Sequence, residues 1–158
     1  MWTEYFKRAY VFGFDKDDFS GVNITRCTIV RGDVSVEQDL IALTKLVNRP
    51  ITILIDDASH ASHHQQFALG TIFPFLSSGG FYAIEDMHWP YAKQEPLGAS
   101  KTREVLRRFS VTGIMESPYI SANQRRYLEN NTESLTLYDS LTASTGDVTD
   151  ALAIIVKK

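Results

Sequence analysis

Four short apolar segments, each followed closely by acidic residues, constrain the fold of this chain more than any other feature. They are residues 9–14, 27–30, 51–55 and 80–84. Polar and apolar residues do not alternate regularly within them, which is typical of strands buried on both faces of a parallel sheet. Apolar residues with helical spacing lie between these segments, in residues 36–47, 63–76 and 101–109. Strands that alternate with helices in this way predict an α/β fold.

The last third of the chain has a different pattern. Residues 134–138 and 151–156 predict two further strands, and the Ser-, Thr-, Gly- and Asp-containing segment between them predicts a turn or loop. Two strands so close in sequence favour an antiparallel hairpin. Residues 89–100, with two prolines and a glycine, predict a long irregular loop. We therefore expect a Rossmann-like, mostly parallel sheet with helices on both faces and an antiparallel hairpin at the carboxy-terminal edge, in one domain over residues 1–158.

Composition excludes several classes of function. The chain has 158 residues and a net charge of -3, with no basic run. It therefore lacks the electrostatic pattern of a nucleic-acid-binding protein and the polybasic patch that binds a membrane surface. No apolar stretch approaches the ~20 residues of a membrane helix. Cys27 is the one cysteine, which excludes an internal disulfide and favours a buried residue in a cytoplasmic protein.

The acidic residues lie where the predicted strands end. They are Asp15, Asp33, Asp56, Asp57, Glu85 and Asp86. The carboxyl ends of parallel strands share one edge of a sheet, where doubly wound folds bind ligands. Acids collected there repel one another and lose hydration, so a cation or a ligand with hydroxyl groups would stabilise them. The alternative is that each acid caps the helix that follows its strand.

The motif of residues 56–60, DDASH, carries the most specific chemistry when it is combined with the later Glu85–Asp86 pair. Asp57, Glu85 and Asp86 offer the oxygen ligands that Mg²⁺ prefers. His60, three residues beyond Asp57, could act as a general base on a hydroxyl.

Other histidines leave alternatives open. His63 and His64 could form a zinc site with His60, although a solvated or capping role at a helix start is favoured over that site. His88 and Trp89 could line a substrate pocket or pack a loop.

These motifs resemble a known family. Residues 55–60 (IDDASH) and 79–86 (GGFYAIED) are similar to the metal-dependent macrolide-sugar O-methyltransferases. The same group includes relatives known as cephalosporin hydroxylases and rhamnosyl O-methyltransferases, all class I S-adenosylmethionine-dependent enzymes. The likeness covers residues 1–91, with a weaker similarity in residues 135–140.

The resemblance implies an activity and a set of roles. It implies methyl transfer from S-adenosylmethionine, assisted by Mg²⁺, to a hydroxyl of a sugar or polyketide-like small molecule. Asp15 would bind the ribose hydroxyls, Asp33 and Val34 would hold the adenine end, and Asp56 would belong to the same cofactor site. Mg²⁺ would bind to Asp57, Glu85 and Asp86. His60 would take the proton from the acceptor.

The chain also departs from the family pattern. Members of the family have an earlier strand and a glycine-rich turn, which this sequence lacks, so it resembles an amino-terminally truncated domain. A missing central strand would leave open sheet edges, which favour self-association. A non-catalytic remnant or binding module is therefore the alternative to an enzyme. A carboxylate–metal hydrolase is a third reading, disfavoured because Asp15 and Asp33 suit a nucleoside better than the activation of water.

Overall fold

The computed structural model describes residues 2–87, 95–140 and 150–158. It divides into two compact units, Met1–Asn48 and Arg49–Lys158, and each is described by itself. The expectation of one domain over residues 1–158 stays a prediction. In the described ranges, no helix is both long and apolar enough to span a bilayer.

The first unit is a two-stranded parallel sheet with two helices. In chain order it contains α1 (Trp2–Tyr5), β1 (Val11–Asp15), β2 (Cys27–Arg31) and α2 (Glu37–Val47). Val11 is opposite Cys27 and Asp15 is opposite Arg31, so the two strands end together. The predicted strands and helix are confirmed, with bounds that shift by at most two residues.

Two local contacts explain how this unit holds its shape. The Arg26 guanidinium donates hydrogen bonds to the carbonyl oxygens of Phe6 (2.9 Å) and Ala9 (2.8 Å), which ties the segment before β1 to the start of β2. Gly32 follows β2 where a Cβ atom would lie 2.4 Å from the Phe14 ring, so a larger residue would force that ring to move. The chain can therefore pass close over β1 just before Asp33.

Over its described residues, the second unit is a mixed sheet with three α-helices. Its elements are β3 (Ile51–Asp56), α3 (Ser62–Ile72), a 3₁₀ turn (Phe73–Phe75), β4 (Leu76–Ile84), α4 (Thr102–Thr112), α5 (Ala122–Asn131), β5 (Thr132–Tyr138) and β6 (Leu152–Lys157). The strand order is β3-β4-β6-β5. β3 and β4 are parallel, whereas β6 is antiparallel to both β4 and β5. The predicted α/β fold, with parallel strands and an antiparallel hairpin at the carboxy-terminal edge, is confirmed.

Glycines shape the beginning of β4. The register jumps from Ile51 opposite Leu76 to Ile53 opposite Phe81, so β4 bulges between these pairs. Gly79 adopts a φ of 73°, and a Cβ on Gly80 would lie 3.0–3.1 Å from three backbone carbonyl oxygens. The bulge therefore requires glycine at both positions, after which β4 runs in regular pairing toward the acids.

The core of the second unit is apolar and contains the buried side chain of Lys157. Its fully buried side chains include Leu69, Phe73, Ile84 and Ile155. Lys157, which is 8% exposed, donates from Nζ to the carbonyl oxygens of Pro74 and Leu76, both at 2.8 Å. The last residue of β6 is thereby fixed to the start of β4.

The outer edges of the two sheets differ from the sequence prediction in exposure. Among the described residues, β1 pairs only with β2, and β3 pairs only with β4. Ile53 and Ile55 are 36% and 37% exposed, although the pattern of β3 predicts a strand buried on both faces. The sequence of β3 is thus typical of a strand that is more deeply buried than β3 is among the described residues.

Candidate metal and cofactor site

The parallel pairing of β3 and β4 brings two acidic turns together. Asp56 ends β3 opposite Ile84, the last residue of β4. The Glu85 N–H then donates to the Asp56 carbonyl oxygen at 3.0 Å, which extends the ladder by one step. The residues that follow the two strands therefore leave the sheet side by side, as the strand-end argument predicts for neighbouring parallel strands.

Three side chains converge just beyond these strand ends. Asp57, His60 and Asp86 each place a potential ligand atom within 4.8 Å of the others. His60 Nδ1 is 3.8 Å from Asp86 Oδ2, and both side chains are roughly three-quarters buried. Glu85 is outside this group of three. The structure thus brings two of the three predicted metal ligands together with the predicted base.

Both turns use an unusual backbone conformation. His60 has a φ of 54° and Asp86 a φ of 49°, in the left-handed region that disfavours residues with a Cβ atom. Each such residue costs about 1 kcal/mol or more and persists only where the surrounding structure holds it. Two of these residues therefore occupy the same small group of potential ligands.

The electrostatics of the site favour a cation. Burial raises the pKa of Glu85, and the charges on Asp57 and Asp86 raise it further. Burial also raises the pKa of Asp86, while His60 partly offsets the effect and Asp57 and Asp150 reinforce it. A divalent ion would replace this repulsion by attraction, and carboxylate oxygens are the ligands that Mg²⁺ prefers. The residues present fit that ion.

Asp56 faces inward instead of toward this group. Its side chain is 7% exposed, accepts a hydrogen bond from the buried Tyr82 hydroxyl at 3.1 Å, and accepts a second from the Ala58 N–H at 3.4 Å. Burial raises the pKa of Asp56 to about 6, against the lowering effect of these two donors. This geometry favours a supporting role for Asp56, whose predicted contact with the cofactor stays a prediction.

The remaining histidines point to packing. Ser59 Oγ is 2.7 Å from His64 Nδ1, a hydrogen bond that ties the DDASH turn to α3. The His63 ring packs 3.9 Å from the His64 ring and 5.7 Å from the Tyr119 ring, measured between centroids. In the described ranges neither residue joins the group of potential metal ligands. His88 and Trp89, considered as pocket residues, lie outside the described residues.

The first unit presents its own pair of acids at the strand ends. Asp15 is exposed, and its Oδ1 accepts a hydrogen bond from the Asp17 N–H at 2.9 Å. Asp33 Oδ1 accepts from both the N–H and the hydroxyl of Ser35, at 2.8 and 2.7 Å. The Gly32 N–H donates to the Asp15 carbonyl oxygen at 2.9 Å, so the two acids lie at the ends of paired strands. Val34, half-buried, follows in the same turn.

Sequence reasoning missed the side chains that support these turns. Tyr82 lies in an apolar run and reads as core, while its hydroxyl binds Asp56. Gln65 Nε2 donates to the Glu85 carbonyl oxygen at 2.8 Å across 20 positions of sequence. The feature of the sequence that indicates such a role is the pair of adjacent glutamines near the start of α3, a largely buried helix.

Comparison with known proteins places this geometry in a family context. No model of a protein family matches the chain. The mycinamicin VI 2''-O-methyltransferase of Micromonospora griseorubida is 30% identical over 150 residues, which cover 89% of this chain and 37% of that protein. An 8-demethyl-8-alpha-L-rhamnosyl tetracenomycin-C 2'-O-methyltransferase of Streptomyces olivaceus is 41% identical over 93 residues, covering 57% of this chain and 24% of that protein.

A solved structure agrees with these relatives. The MycE methyltransferase from the mycinamycin biosynthetic pathway, in complex with Mg, SAH and mycinamycin VI, matches with a TM-score of 0.72 and 26% identity. The match covers 99% of this chain and 38% of that one. The chain therefore spans less than half the length of the relatives it matches, and the resemblance noted in its sequence is confirmed. The chain is a homologue of the macrolide and sugar O-methyltransferases.

Proposed function

We propose that the chain is part of an S-adenosylmethionine-dependent, Mg²⁺-assisted O-methyltransferase that acts on a hydroxyl of a sugar or related natural product. The observation that carries the proposal is the convergence of Asp57, His60 and Asp86 at the ends of two parallel strands. The solved relative with the same fold binds Mg and SAH, which supports both ligands here. Relatives that methylate mycinamicin VI and a rhamnosyl tetracenomycin support a glycosylated acceptor.

The metal would be held by carboxylates at the turn after β3 and the turn after β4. Asp57 is exposed and Asp86 half-buried, so both can reach an ion while positions remain for other ligands. Glu85, close enough for the charge of Asp57 to raise its pKa, is the proposed third carboxylate. When bound, Mg²⁺ would polarise the acceptor hydroxyl, and S-adenosylmethionine would supply the methyl group.

His60 is proposed as the general base. It lies in the same group as the two acids, within reach of a hydroxyl bound there. The imidazole would take the proton of the acceptor hydroxyl as the acceptor oxygen bonds to the methyl carbon, and the electrons of the broken carbon–sulfur bond would stay on sulfur. Asp86, 3.8 Å from Nδ1, would orient the ring for this transfer.

The cofactor contacts are proposed for the first unit. Asp15 ends β1 and Asp33 follows β2, its parallel partner, and carboxylates at such strand ends suit the hydroxyl groups of a ribose. Val34 would contribute apolar contact to the adenine end. Asp56, which accepts hydrogen bonds from the Ala58 N–H and the Tyr82 hydroxyl, would support the Asp57 turn, and its contact with the cofactor stays a prediction.

A binding module without methyltransferase activity is the second candidate. It is favoured by the first unit, in which Leu40, Thr44 and Val47 are the buried residues among those described. A unit with so small a core has little intrinsic stability and would hold a cofactor weakly by itself.

Isothermal titration calorimetry separates the two candidates. The chain is titrated with Mg²⁺ and with S-adenosylmethionine, each in the presence and absence of the other. The Asp57→Asn variant should weaken Mg²⁺ binding at least about tenfold, the loss typical of a disturbed metal site. The Asp15→Ala variant should weaken cofactor binding about 10- to 100-fold, the value of a charged hydrogen bond.

Asp18→Ala is the matched control for the cofactor arm. Asp18 forms the same kind of turn with the Ser20 N–H at 2.8 Å but does not end a strand. Binding of neither ligand by folded wild-type protein would reject the enzyme in favour of a non-catalytic remnant. Equal cofactor affinity in the Asp15→Ala and Asp18→Ala variants would reject the ribose role.

A further inference from the structure

The first turns of α3 bury polar side chains that the proposed chemistry does not use. Ser62, Gln65 and Gln66 are 1%, 2% and 1% exposed, and they face the interior of the second unit. Burying an amide without hydrogen-bond partners costs roughly 1–3 kcal/mol. The burial of the two glutamine amides therefore requires specific hydrogen-bond partners.

The two adjacent glutamines have different partners. Gln66 donates from Nε2 to the Ser100 carbonyl oxygen at 2.8 Å, and its Oε1 accepts from the Ser117 hydroxyl at 2.7 Å. Gln65 donates from Nε2 to the Glu85 carbonyl oxygen at 2.8 Å. Gln66 is thus satisfied by loops away from the acids, whereas Gln65 binds the acidic turn itself.

The side-chain oxygen of Gln65 is a further potential hydrogen-bond acceptor. Its Oε1 is buried and has no hydrogen-bond partner among the described residues. Because Oε1 and Nε2 share one carbon atom, this acceptor lies beside the Glu85 backbone as well. A buried acceptor without a donor is uncommon in folded proteins and indicates a missing partner such as a ligand or an ordered water molecule.

The Glu85 peptide is the junction of three elements. Its N–H is bound by β3 through the Asp56 carbonyl oxygen, it continues β4, and its own carbonyl oxygen is bound by α3 through Gln65. The next residue, Asp86, has the strained φ of 49°. Since the strain disappears if the peptide rotates, the Gln65 bond helps to hold Asp86 in the conformation that aims its carboxylate at Asp57 and His60.

We propose that Gln65 is a positioning residue for the metal site: its amide N–H fixes the Glu85–Asp86 backbone, and its Oε1 accepts a hydrogen bond from a hydroxyl or water held there. This inference rests on the proposed Mg²⁺ site. Gln65 would not bind the metal itself. It would support metal binding through hydrogen bonds that hold the ligands in place.

Manganese binding tests the assignment without any assay of activity. The free Mn²⁺ signal in electron paramagnetic resonance gives the dissociation constant for the wild type, Gln65→Met and Gln66→Met. Methionine keeps the length of glutamine and removes both polar atoms. Gln65→Met should weaken Mn²⁺ binding about 10- to 100-fold. Gln66→Met is the control, because Gln66 is equally buried and adjacent. It should keep the wild-type affinity for Mn²⁺, while its melting temperature falls about as much as that of Gln65→Met.

Each outcome decides the question. No Mn²⁺ binding by the wild type would remove the proposed metal site and this inference with it. Wild-type binding with unchanged affinity in Gln65→Met would overturn the inference alone, as would an equal loss in Gln66→Met. If Gln65→Met does not fold, Gln65→Asn, which keeps the amide on a chain too short to reach Glu85, should show the same weakening. Failure of both Gln65 variants to fold, with Gln66→Met folded, would make Gln65 a residue of general stability.

Discussion

Replacing Asp56 by asparagine should stabilise the protein at neutral pH. The carboxylate is buried, and its pKa is raised from 3.8 to about 6 because the charged form is poorly solvated. At pH 7 the folded chain must therefore keep this group ionised at a cost. Asparagine has nearly the same shape and no charge, so the Asp56→Asn variant removes that cost.

The magnitude follows from the two pKa values. Between pH 3.8 and about 6 the folded state binds more protons than the unfolded state, so stability falls as pH rises through this window. The full loss is about 3 kcal/mol at pH 7. The asparagine amide would place an N–H against either Ala58 or Tyr82, which removes one accepted hydrogen bond and costs about 1 kcal/mol. The variant should thus be about 2 kcal/mol more stable than wild type at pH 7 and about 1 kcal/mol less stable below pH 4.

Urea unfolding followed by circular dichroism, in EDTA at pH 3.5 and pH 7, measures both numbers. Tyr82→Phe is the companion variant, because it removes the hydroxyl that stabilises the charged form of Asp56. It should lose more stability at pH 7 than at pH 3.5, the opposite pH dependence to Asp56→Asn. An asparagine variant with the same stability difference at both pH values would refute the reasoning.

Two further predictions concern catalysis and the core. Under the proposed function, His60→Ala should lower methyl-transfer turnover about 10²- to 10⁴-fold while cofactor affinity stays unchanged, and a variant that turns over like wild type would exclude His60 as the base. Lys157→Met removes the donor from two buried carbonyl oxygens and should lower the free energy of unfolding by about 3 kcal/mol in urea at pH 7, so a variant as stable as wild type would contradict the assigned contacts.

The sequence predicted the strand ends because their signals are local. An apolar run followed by an acid identifies where β3 and β4 stop, and parallel pairing then requires their acids to be neighbours. The sequence does not show which of the adjacent acids, Asp56 or Asp57, points into the core. Neighbouring residues at the end of a strand point to opposite sides, so Asp56 enters the core and Asp57 becomes exposed. The choice depends on Tyr82, a partner 26 positions away.

Helix α5 shows a different limit. Its sequence is polar, and Leu128 is the residue it buries, so hydrophobic spacing does not reveal it. A start signal was nevertheless present, because Ser121 and Gln124 form a reciprocal capping box in the structure. The partners of Gln65 and Gln66 were beyond local reasoning altogether, since they lie 20 to 51 positions further along the chain.

The left-handed conformations of His60 and Asp86 lower the stability of the fold at two positions whose side chains are proposed to act in the site. Glycine adopts these φ values without strain, so selection of random variants for thermal resistance alone should enrich glycine at both sites. Selection for metal capture, which needs no acceptor, should enrich the original residues instead. Two libraries screened under these different pressures would therefore diverge at His60 and Asp86, and that divergence would map the working centre of the protein before its acceptor is known.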